Sequence, residues 1–329
     1  MPDTHRGVTI KEVAAKAGVS VATISRVLNG KGPVRETTSR RVMETCQAMR
    51  FTPHGIAQSL SLRRTHTIGL LLPDLHGEFF SEVIRGIDGE ARRSGYHLLV
   101  SGFHSDRQEM TAVFRAVRGR VDGLIVMSPD RDSSMLASHL PQGFPLVLLN
   151  SAGAGNRTIT IDNYGGARSM MLHLRSLGHS RIAFIQGPEQ NADAAERLRG
   201  YREIAGDGVV IDGDFSEEAG YAAGKQLAAM RRGVTAVFAA NDAMAVGALG
   251  ALREAGVRVP NDLALAGFDD IPIARYVTPH LTTVSVDIAQ LGRRAFDLLM
   301  SDHEGHEVLP AALVVRESCG SKIRGGAKS

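Results

Sequence analysis

Two hydrophobic rhythms divide the chain. From Thr9 to Gly30 the stretch TIKEVAAKAGVSVATISRVLNG sets apolar residues at helical spacing in two short blocks separated by Gly18, which predicts two helices joined by a tight turn. Thr9 can cap the first helix, with Glu12 three residues on completing a capping box, and Ser20 can cap the second. Ala14, Gly18 and Ile24 stand where a helix-turn-helix needs a small residue, a residue that tolerates the left-handed conformation, and an apolar anchor. After Lys31-Gly32-Pro33 a third helix is predicted from about residue 36 to 49, with Val42, Met43, Cys46 and Met49 on one face. Next comes the short segment HGIAQSLSL, residues 54–62, in which Leu60 is apolar and isolated. It is either a bare linker or a short element that something covers.

From Thr67 the rhythm changes. TIGLLLPD, YHLLVSGF, VDGLIVMSPD, FPLVLLNS, RIAFIQGP, TAVFAAND and LALAGFDD are apolar on both faces and alternate with amphipathic stretches such as residues 80–94, 163–178 and 242–256. That alternation predicts parallel strands covered by helices, and the length suits two such sheets. The expected fold is an N-terminal all-α helix-turn-helix headpiece ahead of an α/β core of two doubly wound parallel-sheet subdomains. Several runs end in a polar residue, at Asp74, Asn150, Asp242 and Asp269. Ligands of open α/β sheets bind beyond the carboxyl ends of strands, so a cleft between the subdomains is expected there. A single acidic strand end is otherwise a helix cap.

Charge adds a partner. Residues 1–66 contain eleven Lys and Arg against four Asp and Glu, a net +7, while the remainder of the 329-residue chain carries −4. A cationic helical module at one end suits phosphate binding, since Lys and Arg release counterions condensed on DNA. An ordinary helical hairpin would share the spacing without the charge. On the DNA reading, Val21, Ala22 and Thr23 in the first turn of the second helix point at base edges in a major groove, with Arg26 one turn further on. Thr9, Ser20, Ser25 and Asn29 complete the set assigned to DNA contact in this segment, and Arg63 is expected on a phosphate.

The two cysteines, Cys46 and Cys319, have no metal or redox spacing and suit a reducing compartment. Neither an apolar run of 18 residues nor a secretory signal pattern is found, so no membrane association and a cytoplasmic location are expected. No GxSxG, HExxH or GxxxxGK[ST] motif occurs, and Gly153-Ala-Gly155 lacks a third glycine. No catalytic residue, metal site or cofactor is therefore expected. The rival readings are a sugar-acting α/β enzyme, or a solute-binding protein with an appended helical domain.

Taken together, VTIKEVAAKAGVSVATISRVLNG, the linker IAQSLSLRRTHTIGLLLPD, RLRGY at 197–201, FAANDAMAVGAL at 238–249 and GVRVPNDLALAGFDDIPIA at 256–274, then PHLTTV at 279–284, resemble the LacI/GalR family of bacterial transcriptional regulators over nearly the whole chain. The resemblance implies a helix-turn-helix domain at 1–53, a hinge helix and linker at 54–66, and a periplasmic-binding-protein-like core at 67–329. Within that core it implies an N-subdomain of about 67–162 and 283–309 and a C-subdomain of about 163–282 and 310–320. It also implies a repressor controlled by a small-molecule effector, most often a sugar, acting as a homodimer on a near-palindromic double-stranded operator. Leu60 matches the hinge leucine that wedges into the minor groove, and Ala57 would lie against the groove wall. Arg197 and Asp242 match the main polar contacts to the effector, and Phe79 matches a pocket-lining aromatic position. Asp74, Asp162 and Asp269 are further candidates, with helix capping the alternative for Asp162 and Asp269. Phe215 stands where some relatives stack a sugar on Trp. The segment from Tyr201 to Asp214 is shorter than the family pattern, which puts that rim of the pocket in question. No leucine heptad follows Ser318, so a dimer rather than a tetramer is expected.

Overall fold

In a computed structural model the described residues are 8–28, 32–51, 64–103, 107–127, 140, 143–151, 157–230 and 233–321. They form two compact units that divide between Thr65 and His66. Asn29, Ala57, Leu60, Arg63 and nearly all of the expected hinge helix lie outside the described residues.

The first unit is built from α1 (Ile10–Ala17), α2 (Val21–Leu28) and α3 (Glu36–Ala48). Thr9 caps α1 with the full capping box: Glu12 N donates to Thr9 Oγ1 at 3.4 Å, and Thr9 N donates to Glu12 Oε2 at 2.7 Å. Gly18 ends the helix at φ +64°, the left-handed region that a side chain resists, and Val19 N closes the turn on Ala14 O. Ser20 Oγ then accepts from Thr23 N at 3.2 Å and starts α2. The small core consists of Val13, Ala14, Ala17, Ile24, Val42 and Cys46. Met43, expected on the apolar face of α3, is 53% exposed instead. One residue past Val42, it has rotated about 100° around the helix and out of the core.

The second unit holds two parallel sheets. Its elements run β1 (Thr67–Leu72), α4 (Glu78–Arg93), β2 (His97–Gly102), α5 (Arg107–Val117), β3 (Gly123–Met127), β4 (Leu146–Leu149), β5 (Arg157–Ile161), α6 (Asn163–Ser176), β6 (Ile182–Ile185), α7 (Ala192–Ala205) and β7 (Val210–Ile211). There follow α8 (Glu217–Ala229), β8 (Ala236–Ala239), α9 (Asp242–Glu254), β9 (Ala264–Ala266), a 3₁₀ turn (Pro272–Arg275), β10 (Thr283–Ser285), α10 (Ile288–Met300), β11 (Gly305–Leu309) and β12 (Ala312–Val314). One six-stranded sheet has the order β11-β5-β4-β3-β1-β2, and a four-stranded sheet has the order β7-β6-β8-β9. The first, with α4, α5 and α10, makes an N-subdomain; the second, with α6 to α9, makes a C-subdomain.

The chain passes between them three times: from β5 into α6 at Asp162, from β10 into α10, and from β11 into β12. The second and third crossings lie side by side, because β10 pairs antiparallel with β12. Glycines let helices touch at backbone distance. A Cβ on Gly86 of α4 would stand 2.2 Å from Ala289 O of α10, and one on Gly220 of α8 would stand 2.1 Å from Met244 O of α9. Among the described residues no helix is long and apolar enough to cross a membrane.

Candidate functional site

In the helical unit, the first turn of α2 presents Val21, 39% exposed, together with Ala22, while Ile24 points into the core at 0%. Thr23 is held by its own cap, its hydroxyl 2.9 Å from that of Ser20. Arg26 lies one turn after Ala22 on the same face, exposed. The helix therefore offers small side chains at its N-terminal end and a long cation behind them.

In the core, two of the four polar strand ends, Asn150 and Asp269, lie beside polar groups of α7 between the subdomains. Arg197, on α7, is 3% exposed and fully engaged. Its Nε donates to Asn163 Oδ1 at 2.8 Å and its Nη1 to Ala240 O at 2.6 Å. Its Cζ lies 3.8 Å from the centre of the Phe268 ring and 5.8 Å from that of Phe215. Nη2 is 3.0 Å from Asp269 Oδ1, but off the line of the N–H bonds, so that buried oxygen has no hydrogen-bond partner. Asp193 joins one turn earlier on α7: Asn163 Nδ2 donates to it at 2.8 Å. Asn150, at the end of β4 in the N-subdomain, lies near enough to Asp193 to favour its ionised form, while Asn150 Oδ1 is buried and unpaired. A second link across the cleft runs from Ile273 N to Glu78 Oε2 at 2.8 Å.

Burial pushes the Asp193 carboxyl up to about 6, against the pull of Arg197 and the two asparagine amides. Burial likewise lifts Asp269 to about 6, with Arg197 opposing it. Both exceed the usual value of 3.8, so their favourable contribution to stability is complete below about pH 4 and is lost as the pH rises through about 6. The unliganded core is accordingly expected to melt at lower temperature at pH 7 than this pair would allow at pH 4. Melting curves of wild type and Asp193→Asn across that range should diverge with rising pH, the variant falling less steeply; parallel curves would refute the assignment.

The sequence-predicted effector residues separate into three groups. Arg197, Asp269 and Phe215 come together as described, Phe215 being held at φ +75° with its ring against Gly187. Phe79 sits half-buried in the first turn of α4 beside Glu78, edge-on to Phe80 at 5.7 Å. Asp74 and Asp162 are exposed and occupied locally. Asp74 Oδ1 accepts from Leu75 N and His76 N, and Asp162 Oδ1 accepts from Gly165 N as the N-cap of α6.

Asp242 overturns its expected role. It is 0% exposed, and its two oxygens accept from Thr283 Oγ1 at 2.6 Å and Ile271 N at 3.0 Å. Burial, followed by the nearby Asp269 charge, pushes its carboxyl well up. It ties α9 to the crossing strand β10, and its complete burial keeps it off the open surface of the cleft. The residues the sequence reading left out of the site are Asn163, Asp193 and Glu78, with Asn150 noted only as a strand end. The i, i+4 spacing of Asp193 and Arg197 on one helix was a usable signal for the first turn of α7. The segment between Tyr201 and Asp214 runs from the end of α7 through residues 206–209 into β7 (Val210–Ile211).

Comparison with known proteins gives two domain matches: "Bacterial regulatory proteins, lacI family" over residues 9–54, and "Periplasmic binding protein-like domain" over residues 171–319. The HTH-type transcriptional regulator GalR of Escherichia coli (strain K12) is 35% identical over 304 residues, covering 89% of this chain and 88% of its own. The crystal structure of the lac repressor dimer bound to operator and the anti-inducer ONPF superposes with a TM-score of 0.86 at 29% identity, covering 95% of this chain and 99% of that one. A transcriptional regulator CelR–cellobiose complex superposes with a TM-score of 0.70 at 32% identity, covering 94% and 99%.

Proposed function

The chain belongs to the lacI family of bacterial regulatory proteins, and from that premise we propose that it is a homodimeric repressor released from, or held on, its operator by a sugar bound between the two core subdomains. The coarser part of this is established by the family: the protein is a DNA-binding transcriptional regulator with a small-molecule effector domain, and its relatives are regulators rather than enzymes.

The observation that carries the effector reading is the buried Arg197–Asp269–Asp193 cluster with its two unfilled acceptors, Asp269 Oδ1 and Asn150 Oδ1. Buried polar groups without partners are costly, and a polyol lying between the subdomains would satisfy both by donating one hydroxyl to each. Cellobiose in the CelR complex and ONPF on the lac repressor are ligands of those proteins; the first makes a sugar the first class to test here. The cluster draws on both subdomains, Asn150 from one and Asp193 from the other, so an occupant would bias their relative orientation and through it the dimer.

On the DNA side, Val21, Ala22 and Arg26 read bases, two headpieces read a near-palindrome, and Leu60 wedges into the minor groove. Arg26→Ala is expected to lose discrimination between operator and random DNA, whereas Arg63→Ala should weaken both alike. Gel shifts of the two variants against both DNAs, with and without sugars, test the assignment. Equal losses would remove Arg26 from the base-reading set, and a sedimenting monomer that protects a symmetric site would remove the dimer.

A further inference from the structure

The polar groups between the subdomains are one-sided. Among the described residues most donors are already spent. Arg197 gives Nε to Asn163 and Nη1 to Ala240 O, turns Nη2 toward Asp269 in an ion pair, and lays its face on Phe268. The Asn163 amide donates to Ile161 O and Asp193, the Asn241 amide donates to Phe215 O, and the Thr283 hydroxyl donates to Asp242. Among the described residues the buried side-chain atoms left without a hydrogen-bond partner are both acceptors, Asn150 Oδ1 and Asp269 Oδ1.

Charge leans the same way. Two carboxylates, Asp193 and Asp269, share the single positive charge of Arg197. The next acid, Asp270, is neutralised separately by Arg316 Nη2 at 2.5 Å and Arg275 Nη2 at 3.1 Å. The raised proton affinity of Asp193 and Asp269 agrees with this, since an additional free cation beside them would hold both low.

We infer that the effector presents hydrogen-bond donors and carries no negative charge, as a free polyol or an amine-bearing counterpart does, and that the site rejects anionic forms such as sugar phosphates. This rests on the cleft being the effector site. An anion there meets two carboxylates that already outnumber the one Arg197 charge beside them, and like-charge juxtaposition in a desolvated site is strongly unfavourable. Two hydroxyls, or one ammonium, can donate to the two open oxygens directly.

The test is a thermal-shift titration of the full chain at pH 7.5 with matched sets: ribose, galactose, glucose and cellobiose, the phosphate esters of the monosaccharides, and glucosamine and galactosamine. The same titration is run on Asp193→Asn and Asp269→Asn, which keep shape and remove charge. The expected result is that stabilisation comes from free or amine-bearing sugars, that the phosphate ester of any stabilising sugar binds on the order of a hundredfold more weakly or worse, and that this gap narrows in either variant. An amino sugar that outperforms its neutral parent would locate a positive charge against the two carboxylates. A phosphate ester that stabilises wild type at least as well as its parent, with the effect altered in the variants, would overturn the inference while leaving the cleft as the effector site. Sugar stabilisation identical in wild type and both variants would instead remove the cleft itself, and the inference with it.

Discussion

Replacing Arg197 with methionine is expected to destabilise the core by about 3–5 kcal/mol and to abolish its response to any effector. Methionine preserves much of the volume and can lie against Phe268, so the loss measures the guanidinium rather than a void. With it go the hydrogen bonds to Asn163 and Ala240 O and the one charge that offsets Asp193 and Asp269. Breaking one side of a buried charge group is expensive because the other side remains buried and unpaired. The deficit should be largest above pH 6, where both carboxyls would have to ionise, and smaller near pH 4, where each holds its proton. Arg197→Lys is expected to recover little, since a point charge cannot reach three partners and stack on a ring at once. Urea unfolding followed by circular dichroism measures this; a loss below 1 kcal/mol would mean that the cluster carries little of the core's electrostatics.

The second large effect is expected from Ile24→Ala. Ile24 is completely buried in a core of six small or medium side chains, so its truncation is expected to cost about 2–5 kcal/mol. A helical unit of this size has little stability to spare, and a loss of that order leaves it largely unfolded at 25 °C. Specific and non-specific DNA binding should then fail together, which separates this variant from Arg26→Ala. The core should keep its melting temperature and its sugar response, because the two units are separate compact bodies. Calorimetry of the full chain alongside operator titration gives both readouts. Operator affinity within threefold of wild type would show that the headpiece does not depend on this side chain.

How much could be read beforehand follows the physics of each signal. The seven apolar runs all contain strands; six are buried on both faces and so must be apolar throughout, while β2 is a partly exposed edge strand, and the capping box, Gly18 and Ile24 were legible because each is a local requirement. β5 and β11 were not read as strands. RTITI and GHEVL carry polar residues on one face, and β11 is an edge strand whose outer side needs no apolar cover, so neither rises above a loop pattern. Motif position grouped Arg197, Phe215 and Asp269, which the fold does bring together. Asp242 was grouped with them, but its neighbours Thr283 and Ile271 approach only through the fold, 41 and 29 residues away. Asn150 and Asp193 meet across the cleft for the same reason, and no spacing along the chain encodes that meeting.

The threefold passage of the chain between the sheets also sets the order in which the molecule can be finished during its synthesis. The headpiece is complete once its third helix has left the ribosome, and it can fold while most of the chain is unmade. The N-subdomain cannot. Its first five strands are made by residue 161, yet α10, which packs Ala289 onto Gly86, and the edge strand β11 arrive only at residues 288–309, after the whole of the other sheet. Until then the β5 edge and the α10-facing side of α4 are uncovered on a nascent protein whose DNA-reading end is already formed. A chain stalled before residue 288 would therefore present a finished headpiece on an unfinished core, able to meet DNA phosphates with no means of answering an effector.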